Sequence, residues 1–143
     1  MGRFYTYKCK ECDFENSYYT GGGFFTEEYF NKVELAATSL KEEVLSGKYG
    51  EHLKRIVSLE QDAYHFNCGT ALFSCSKCKD TFVLMSRSIS HTETGLYRET
   101  IEFNELCPIC KNDTWLFKHD GDTITCPKCK NAAAELVSIG LWD

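Results

Sequence analysis

The sequence predicts a small α+β fold, and three observations carry this prediction. Eight of the nine cysteines form four Cys-x-x-Cys pairs along a chain of 143 residues. Short runs of β-prone residues enter and leave these pairs, and one long amphipathic stretch separates the first two. The prediction is therefore a set of antiparallel β hairpins built around cysteine pairs, with a helical segment inserted near the N-terminus.

The last two cysteine pairs have the spacing of a zinc site. Fifteen residues separate Cys110 from Cys126, and two Cys-x-x-Cys pairs at this separation are typical of zinc binding. One such turn presents two thiolates as an edge of a tetrahedral zinc–sulfur centre, and a second turn completes the tetrahedron. We expect one site formed by four ligands: Cys107, Cys110, Cys126 and Cys129.

The segment between these two pairs predicts the hairpin of a zinc ribbon. Asp120-Gly121 lies between the β-prone runs 115–119 and 122–125. Asp-Gly favours the type I′ turn, because both central positions of that turn need a positive φ. Residues 95–143 are therefore predicted to form a second zinc ribbon on their own.

The first two cysteine pairs are predicted to form the other ribbon, in residues 1–94, although 62 residues separate them. Its expected ligands are Cys9, Cys12, Cys75 and Cys78. Residues 20–67 read as a helical hairpin inserted into this ribbon. One helix begins near Thr26 and stops at Ser46-Gly47. Apolar residues recur along it every three or four residues, at Phe30, Val33, Ala37, Leu40 and Val44.

The pairing of the four cysteine pairs has an alternative. Sequential pairing joins the first pair with the second and the third with the fourth. Nested pairing would join Cys78 to Cys107 across 28 residues and would join the two ends of the chain. The tight hairpin at Asp120-Gly121 favours sequential pairing.

The N-terminal half resembles a group of small, uncharacterised bacterial zinc-ribbon proteins. The resemblance is carried by Cys9 to Cys12, Phe14-Glu15, Gly21-Gly22-Gly23-Phe24, Gly47-Lys48-Tyr49-Gly50, and Cys75 to Cys78. It covers about half of the chain and implies zinc and a ribbon, but no activity. Residues 96–143 resemble zinc ribbons in general, a class whose fold does not determine one function.

Four thiolates around each ion leave no open coordination position, so the sequence predicts two structural zinc ions and no enzyme. Free thiolates at regular spacing also favour a reducing compartment, and we expect the cytoplasm. No apolar run is long enough to span a membrane. Cys68, the ninth cysteine, is predicted to be a buried apolar side chain. The alternative is that Cys68 and His65 supply two further ligands to a metal ion.

Charge guides the prediction of a partner. The formal net charge is −5, and two zinc ions with four thiolates each would bring it to about −9. The negative electrostatic field of such a chain disfavours the binding of nucleic acid, so the primary expectation is a protein-binding or adaptor module. The alternative is a nucleic-acid-binding regulator, because seven lysines lie beside the ligand cysteines: Lys8, Lys10, Lys77, Lys79, Lys111, Lys128 and Lys130. These lysines also offset the charge of the zinc–thiolate centres, which is the interpretation we favour.

Overall fold

A computed structural model describes residues 2–22, 27–93, 96–116 and 123–142. The fold is mixed α+β, with two α-helices, one short 3-10 helix (Gln61–Ala63) and two antiparallel sheets. None of the nine cysteines is in a disulfide. Within the described ranges, neither helix combines the length and the apolar character that crossing a bilayer requires.

The elements follow the cysteine pairs along the chain. The strands are β1 (Gly2–Cys9), β2 (Glu15–Thr20), β3 (Tyr64–Cys75), β4 (Thr81–Glu93), β5 (Leu96–Phe103), β6 (Thr114–Leu116), β7 (Ile124–Thr125) and β8 (Ala133–Trp142). The helices α1 (Glu27–Leu45) and α2 (Glu51–Leu59) lie between β2 and β3 in sequence. Thr26, near which the first helix was predicted to begin, and the Asp120-Gly121 turn lie outside the described residues.

The chain forms two compact units, and each is assembled from separate stretches. The cysteine unit consists of Met1–Thr26, Thr70–Met85 and Asn104–Asp143, and it contains all four cysteine pairs. The helical unit consists of Glu27–Gly69 and Ser86–Phe103. This division does not follow the predicted boundary between residues 94 and 95, because strand pairing joins the two ends of the chain in one unit.

The helical unit has a core of its own. Leu40 and Val44 of α1 meet Val57 of α2 and Ile89 of β4, and all four side chains are buried. The predicted apolar face of α1 is therefore buried at the C-terminal end of the helix, whereas Phe30 near the start of the helix is 57% exposed. Gly47 ends the helix as expected, with a φ of 88° that glycine adopts without strain.

In the cysteine unit, one sheet has the strand order β2-β1-β8-β7. Strand β1 lies between β2 and β8, and its pairing with β8 extends from Gly2↔Trp142 to Cys9↔Ala134 with one bulge near Tyr7. Tyr7, Ile124 and Ala134 of this sheet are buried together with Leu72 of β3. The first and last strands of the sequence are thus neighbours.

The second sheet has the order β5-β4-β3-β6, and β3 and β4 contribute residues to both units. Two predictions for these strands were wrong. Tyr64, predicted to be helical, begins β3, where the alternating burial of Tyr64, Phe66 and Cys68 marks a strand. The polar composition of residues 86–94 predicts a turn-like segment, but residues 86–93 continue β4, because ladder hydrogen bonds to the strands on both sides outweigh that composition.

Candidate metal centres

The structure gathers the eight cysteines of the Cys-x-x-Cys pairs into two groups of four. The terminal cluster consists of Cys9, Cys12, Cys126 and Cys129, and the central cluster consists of Cys75, Cys78, Cys107 and Cys110. The predicted sequential pairing, which joined the first pair to the second and the third to the fourth, was therefore wrong. The chain uses the nested pairing.

The sulfur positions in both clusters fit a single tetrahedral ion. Within each cluster the four Sγ atoms lie within 4.8 Å of one another. The short contacts across the terminal cluster are 3.9 Å for Cys9–Cys129 and 3.6 Å for Cys12–Cys126. The Cys75–Cys110 and Cys78–Cys107 contacts of the central cluster are 3.5 and 3.9 Å. A tetrahedral ion with metal–sulfur bonds of about 2.3 Å needs sulfurs about 3.8 Å apart, so each cluster could hold one metal ion.

Strand β8 brings the terminal cluster together. It lies between β1 and β7 and runs antiparallel to both, so β1 and β7 point in the same direction. Cys9 ends β1 and Cys126 directly follows β7, while Ala134 of β8 pairs with both Cys9 and Ile124. The first and last cysteine turns therefore emerge at the same end of one sheet.

Strand β6 does the same for the central cluster. Cys75, the last residue of β3, pairs with Thr114, the first residue of β6. The turn of Cys107 and Cys110 precedes β6 and is closed at its base by Thr114, whose N–H and hydroxyl both donate to the Glu105 carbonyl oxygen at 3.0 and 2.7 Å. This small closed loop sets the third cysteine turn beside the second.

The predicted second ribbon fails because its two arms belong to different sheets. Among the described residues, β6 pairs with β3 in one sheet and β7 pairs with β8 in the other. Nested pairing closes longer loops, but each doubling of loop length costs only about 0.6 kcal/mol. Eight paired positions between β1 and β8 outweigh that entropy. The local turn signal at Asp120-Gly121 therefore did not predict how the cysteine turns pair, because pairing between strands distant in sequence determines it.

Three of the four cysteine turns share an unusual backbone position. Lys79, Lys111 and Lys130, each the residue after the second cysteine, have φ values of 62, 60 and 59°. In each turn the N–H of this lysine donates to the carbonyl oxygen of the first cysteine at 2.9–3.0 Å. A side chain in this left-handed region clashes with its own backbone, so the turns hold these lysines at a cost in conformational energy.

This geometry gives a testable prediction for Lys111. We expect Lys111→Gly to raise the stability of the metal-loaded chain by about 0.5 kcal/mol, because glycine relieves the positive φ. The matched control is Lys77→Gly, since Lys77 lies inside a cysteine turn without a positive φ and should lose about 0.5–1 kcal/mol. Urea unfolding of the loaded proteins measures both. Equal losses in the two variants would contradict the strained position.

In the terminal cluster, the protein environment separates the pKa values of the thiols. Burial raises the pKa of Cys126, but the backbone N–H groups of Cys129 and Lys128 lower it to about 7 overall. The backbone contact with Phe14 lowers the pKa of Cys12, and burial with the neighbouring thiols raises it to about 12. A bare cluster thus keeps some of its protons, whereas a bound cation favours all four thiolates.

The central cluster shows the same separation. The side chain and the backbone N–H of Asn112 hold the pKa of Cys110 at about 6. The thiol of Cys110, burial and the thiol of Cys107 raise the pKa of Cys78 to about 12. Sequence reasoning missed Asn112, because its position two residues after a cysteine pair is not a recognised signal.

Among the described residues, four of the seven lysines beside the cysteines form ion pairs with carboxylates. Lys8 pairs with Glu15 at 3.7 Å and Lys10 with Glu135 at 2.9 Å, and Lys128 and Lys130 pair with Asp13 and Asp80. The hydrogen bond from the Lys128 ammonium lowers the pKa of Asp13. The contacts of Lys10, Lys128 and Lys130 tie one cysteine turn to another element, a role that the sequence did not suggest.

Cys68 and His65 do not meet. Both belong to β3, where residues three apart point to opposite faces of the sheet. Cys68 packs against the core of the helical unit, whereas His65 is exposed. Cys68 was predicted to be buried, and it packs against apolar neighbours while only partly buried. The alternative, a pair of metal ligands formed by Cys68 and His65, is excluded by this geometry.

Comparisons of the chain with protein-family models, curated proteins and solved structures give no match. The resemblance to bacterial zinc-ribbon proteins stays a prediction. The functional argument consequently depends on the two clusters themselves.

Proposed function

We propose that the protein holds two structural zinc ions, one in each cysteine cluster, and serves as a protein-binding module. The observation that carries the metal assignment is the spacing of the Sγ atoms, which lie within 4.8 Å of one another in each cluster, with two contacts of 3.5–3.9 Å in each. A tetrahedral set of four thiolates selects zinc or iron. Zinc needs no redox partner and suits a reducing compartment such as the cytoplasm.

A structural role follows from the ligand count. Four cysteines complete the coordination of a zinc ion, so no position is open for water or substrate. The first cysteine of each turn is buried, and Cys9 and Cys126 belong to the core of the cysteine unit. Each ion would thus replace part of the apolar core that so small a unit lacks. We therefore do not propose catalysis at either cluster.

Exposed apolar side chains near the clusters support protein binding. Ile109 at the tip of a cysteine turn is 63% exposed, and Leu106 at its base is 56% exposed. Strand β8 adds further exposed apolar residues, Val137, Ile139 and Leu141. A metal-stabilised turn presents such side chains on a rigid backbone, which lowers the entropy cost of binding a partner.

The alternative is a nucleic-acid-binding regulator, favoured by the lysines beside the cysteines. The ion pairs of Lys8, Lys10, Lys128 and Lys130 weaken it, since paired lysines are less available to phosphates. Phosphate-based binding would also fall about a thousandfold or more between 50 and 200 mM salt for six or more contacts. Fluorescence anisotropy with single- and double-stranded oligonucleotides across a salt series decides this point. A steep salt slope that Lys128→Ala with Lys130→Ala removes would favour the regulator.

Two experiments test the primary proposal. Metal analysis with X-ray absorption is expected to give two zinc ions per chain, each with sulfur ligands only. Iron in place of zinc, or nitrogen ligands, would overturn the assignment.

Affinity capture after nuclease treatment is expected to retain a protein partner and to lose it in Ile109→Asp. The control is Leu59→Asp, because Leu59 is 78% exposed but belongs to the helical unit.

A further inference from the structure

We propose that Lys130 couples the two metal sites, so that an ion in the terminal cluster strengthens binding of an ion in the central cluster. The inference rests on the proposed zinc sites and adds a regulatory link between them. Its basis is that Lys130 belongs to one cysteine turn by sequence and contacts the other turn with its side chain.

The backbone of Lys130 is part of the terminal cluster. Lys130 directly follows Cys129, and its N–H donates to the Cys126 carbonyl oxygen at 3.0 Å. Its φ of 59° belongs to the strained left-handed region, which the closed turn imposes. The position of the Lys130 Cα therefore depends on an ordered Cys126–Cys129 turn.

The side chain of Lys130 supports the central cluster. Its Nζ donates to the Cys78 carbonyl oxygen at 3.0 Å and to Asp80 Oδ1 at 2.9 Å. The Asp80 carbonyl oxygen accepts the N–H of Cys75 at 3.0 Å and so closes this turn. Lys130 thus holds both a ligand residue and the closing residue of the central turn. Outer contacts of this kind orient the ligands of a metal site.

These contacts define the coupling mechanism. An ion in the terminal cluster orders the Cys126–Cys129 turn, which places the Lys130 ammonium against Cys78 and Asp80. Without that ion the turn loses order, and the central cluster must bind its ion with less support. Thermodynamic reciprocity requires that an ion in the central cluster strengthens the terminal cluster by the same factor.

Lys128 provides a matched control from the same turn. Its Nζ also donates to a carboxylate, that of Asp13, but Asp13 directly follows Cys12 of the terminal cluster. Both lysines are partly exposed and both neighbour Cys129. They differ in the cluster that their side chains reach, so comparing the two variants isolates the cross-cluster contact.

The test measures the affinity of each cluster separately by chelator competition, with the ¹¹³Cd resonance of each cluster as the readout. In the full-length chain, Lys130→Met is expected to weaken the central cluster about fivefold. Lys128→Met should leave the central cluster unchanged within about twofold. When Cys12→Ser and Cys129→Ser disable the terminal cluster, Lys130→Met should have no further effect on the central cluster.

Two outcomes would overturn the coupling. The first is an unchanged central-cluster affinity in Lys130→Met, and the second is the same loss whether or not the terminal cluster is functional. If the disabled chain does not fold, metal release from the fully loaded chain replaces that comparison. Release from the central cluster should then be about fivefold faster in Lys130→Met than in Lys128→Met, and equal rates would contradict the proposal. Two ions that bind independently would leave the zinc assignment standing, whereas a chain that takes up no metal would refute both.

Discussion

Replacing Cys126 with serine is expected to release one of the two metal ions and to disorder the part of the cysteine unit that packs around the terminal cluster. Cys126 is fully buried and lies in a core with Tyr7 and Ile124. The binding free energy of a structural zinc ion is on the order of 10 kcal/mol, as large as the whole stability of a typical small domain. Metal content and limited proteolysis of the purified variant measure the effect.

The pairing makes this prediction specific. Cys9→Ser should release the same ion as Cys126→Ser, so the double variant should still retain one ion. Cys68→Ser is the control, because Cys68 belongs to neither cluster and should keep both ions. Loss of both ions from the Cys9 and Cys126 double variant would contradict the nested arrangement.

The second large effect is expected in the helical unit. Leu40 is completely buried against Val44, Val57 and Ile89. Leu40→Ala removes buried apolar volume and leaves a cavity, so we expect a loss of about 3 kcal/mol in the free energy of unfolding. Chemical denaturation followed by circular dichroism at 222 nm measures it.

Leu35→Ala is the matched control on the same helix. Leu35 is 67% exposed, so the same substitution there should change the stability by no more than about 0.5 kcal/mol. Similar losses in the two variants would show that α1 does not bury the face that carries Leu40.

Local patterns in the sequence were sufficient to predict most of the elements. The β-prone run before Cys9 predicted β1, and the apolar repeat through Leu40 and Val44 predicted α1 with its end at Gly47. The spacing within each Cys-x-x-Cys pair also predicted which eight cysteines gather in groups that could hold a metal ion. These features depend on neighbours a few residues apart, which is the range over which sequence periodicity is informative.

The pairing of the cysteine turns could not be predicted in the same way. The Asp120-Gly121 signal was local, whereas the nested arrangement depends on β1 pairing with β8 and β3 pairing with β6. No periodicity in one strand identifies its distant partner. The contacts of Lys130 with Cys78 and Asp80 were hidden for the same reason. The two compact units are composed of other stretches than the predicted residues 1–94 and 95–143, because their composition follows from these long-range pairings.

The most direct test of the nested metal centres is proton–cadmium correlation NMR on the chain loaded with ¹¹³Cd. We expect two cadmium resonances, each in the range of all-sulfur coordination. The Hβ protons of Cys9 and Cys126 should correlate with one resonance, and those of Cys75 and Cys107 with the other, because the two clusters divide the cysteines in this way. A correlation of Cys9 and Cys75 with the same cadmium would contradict the account.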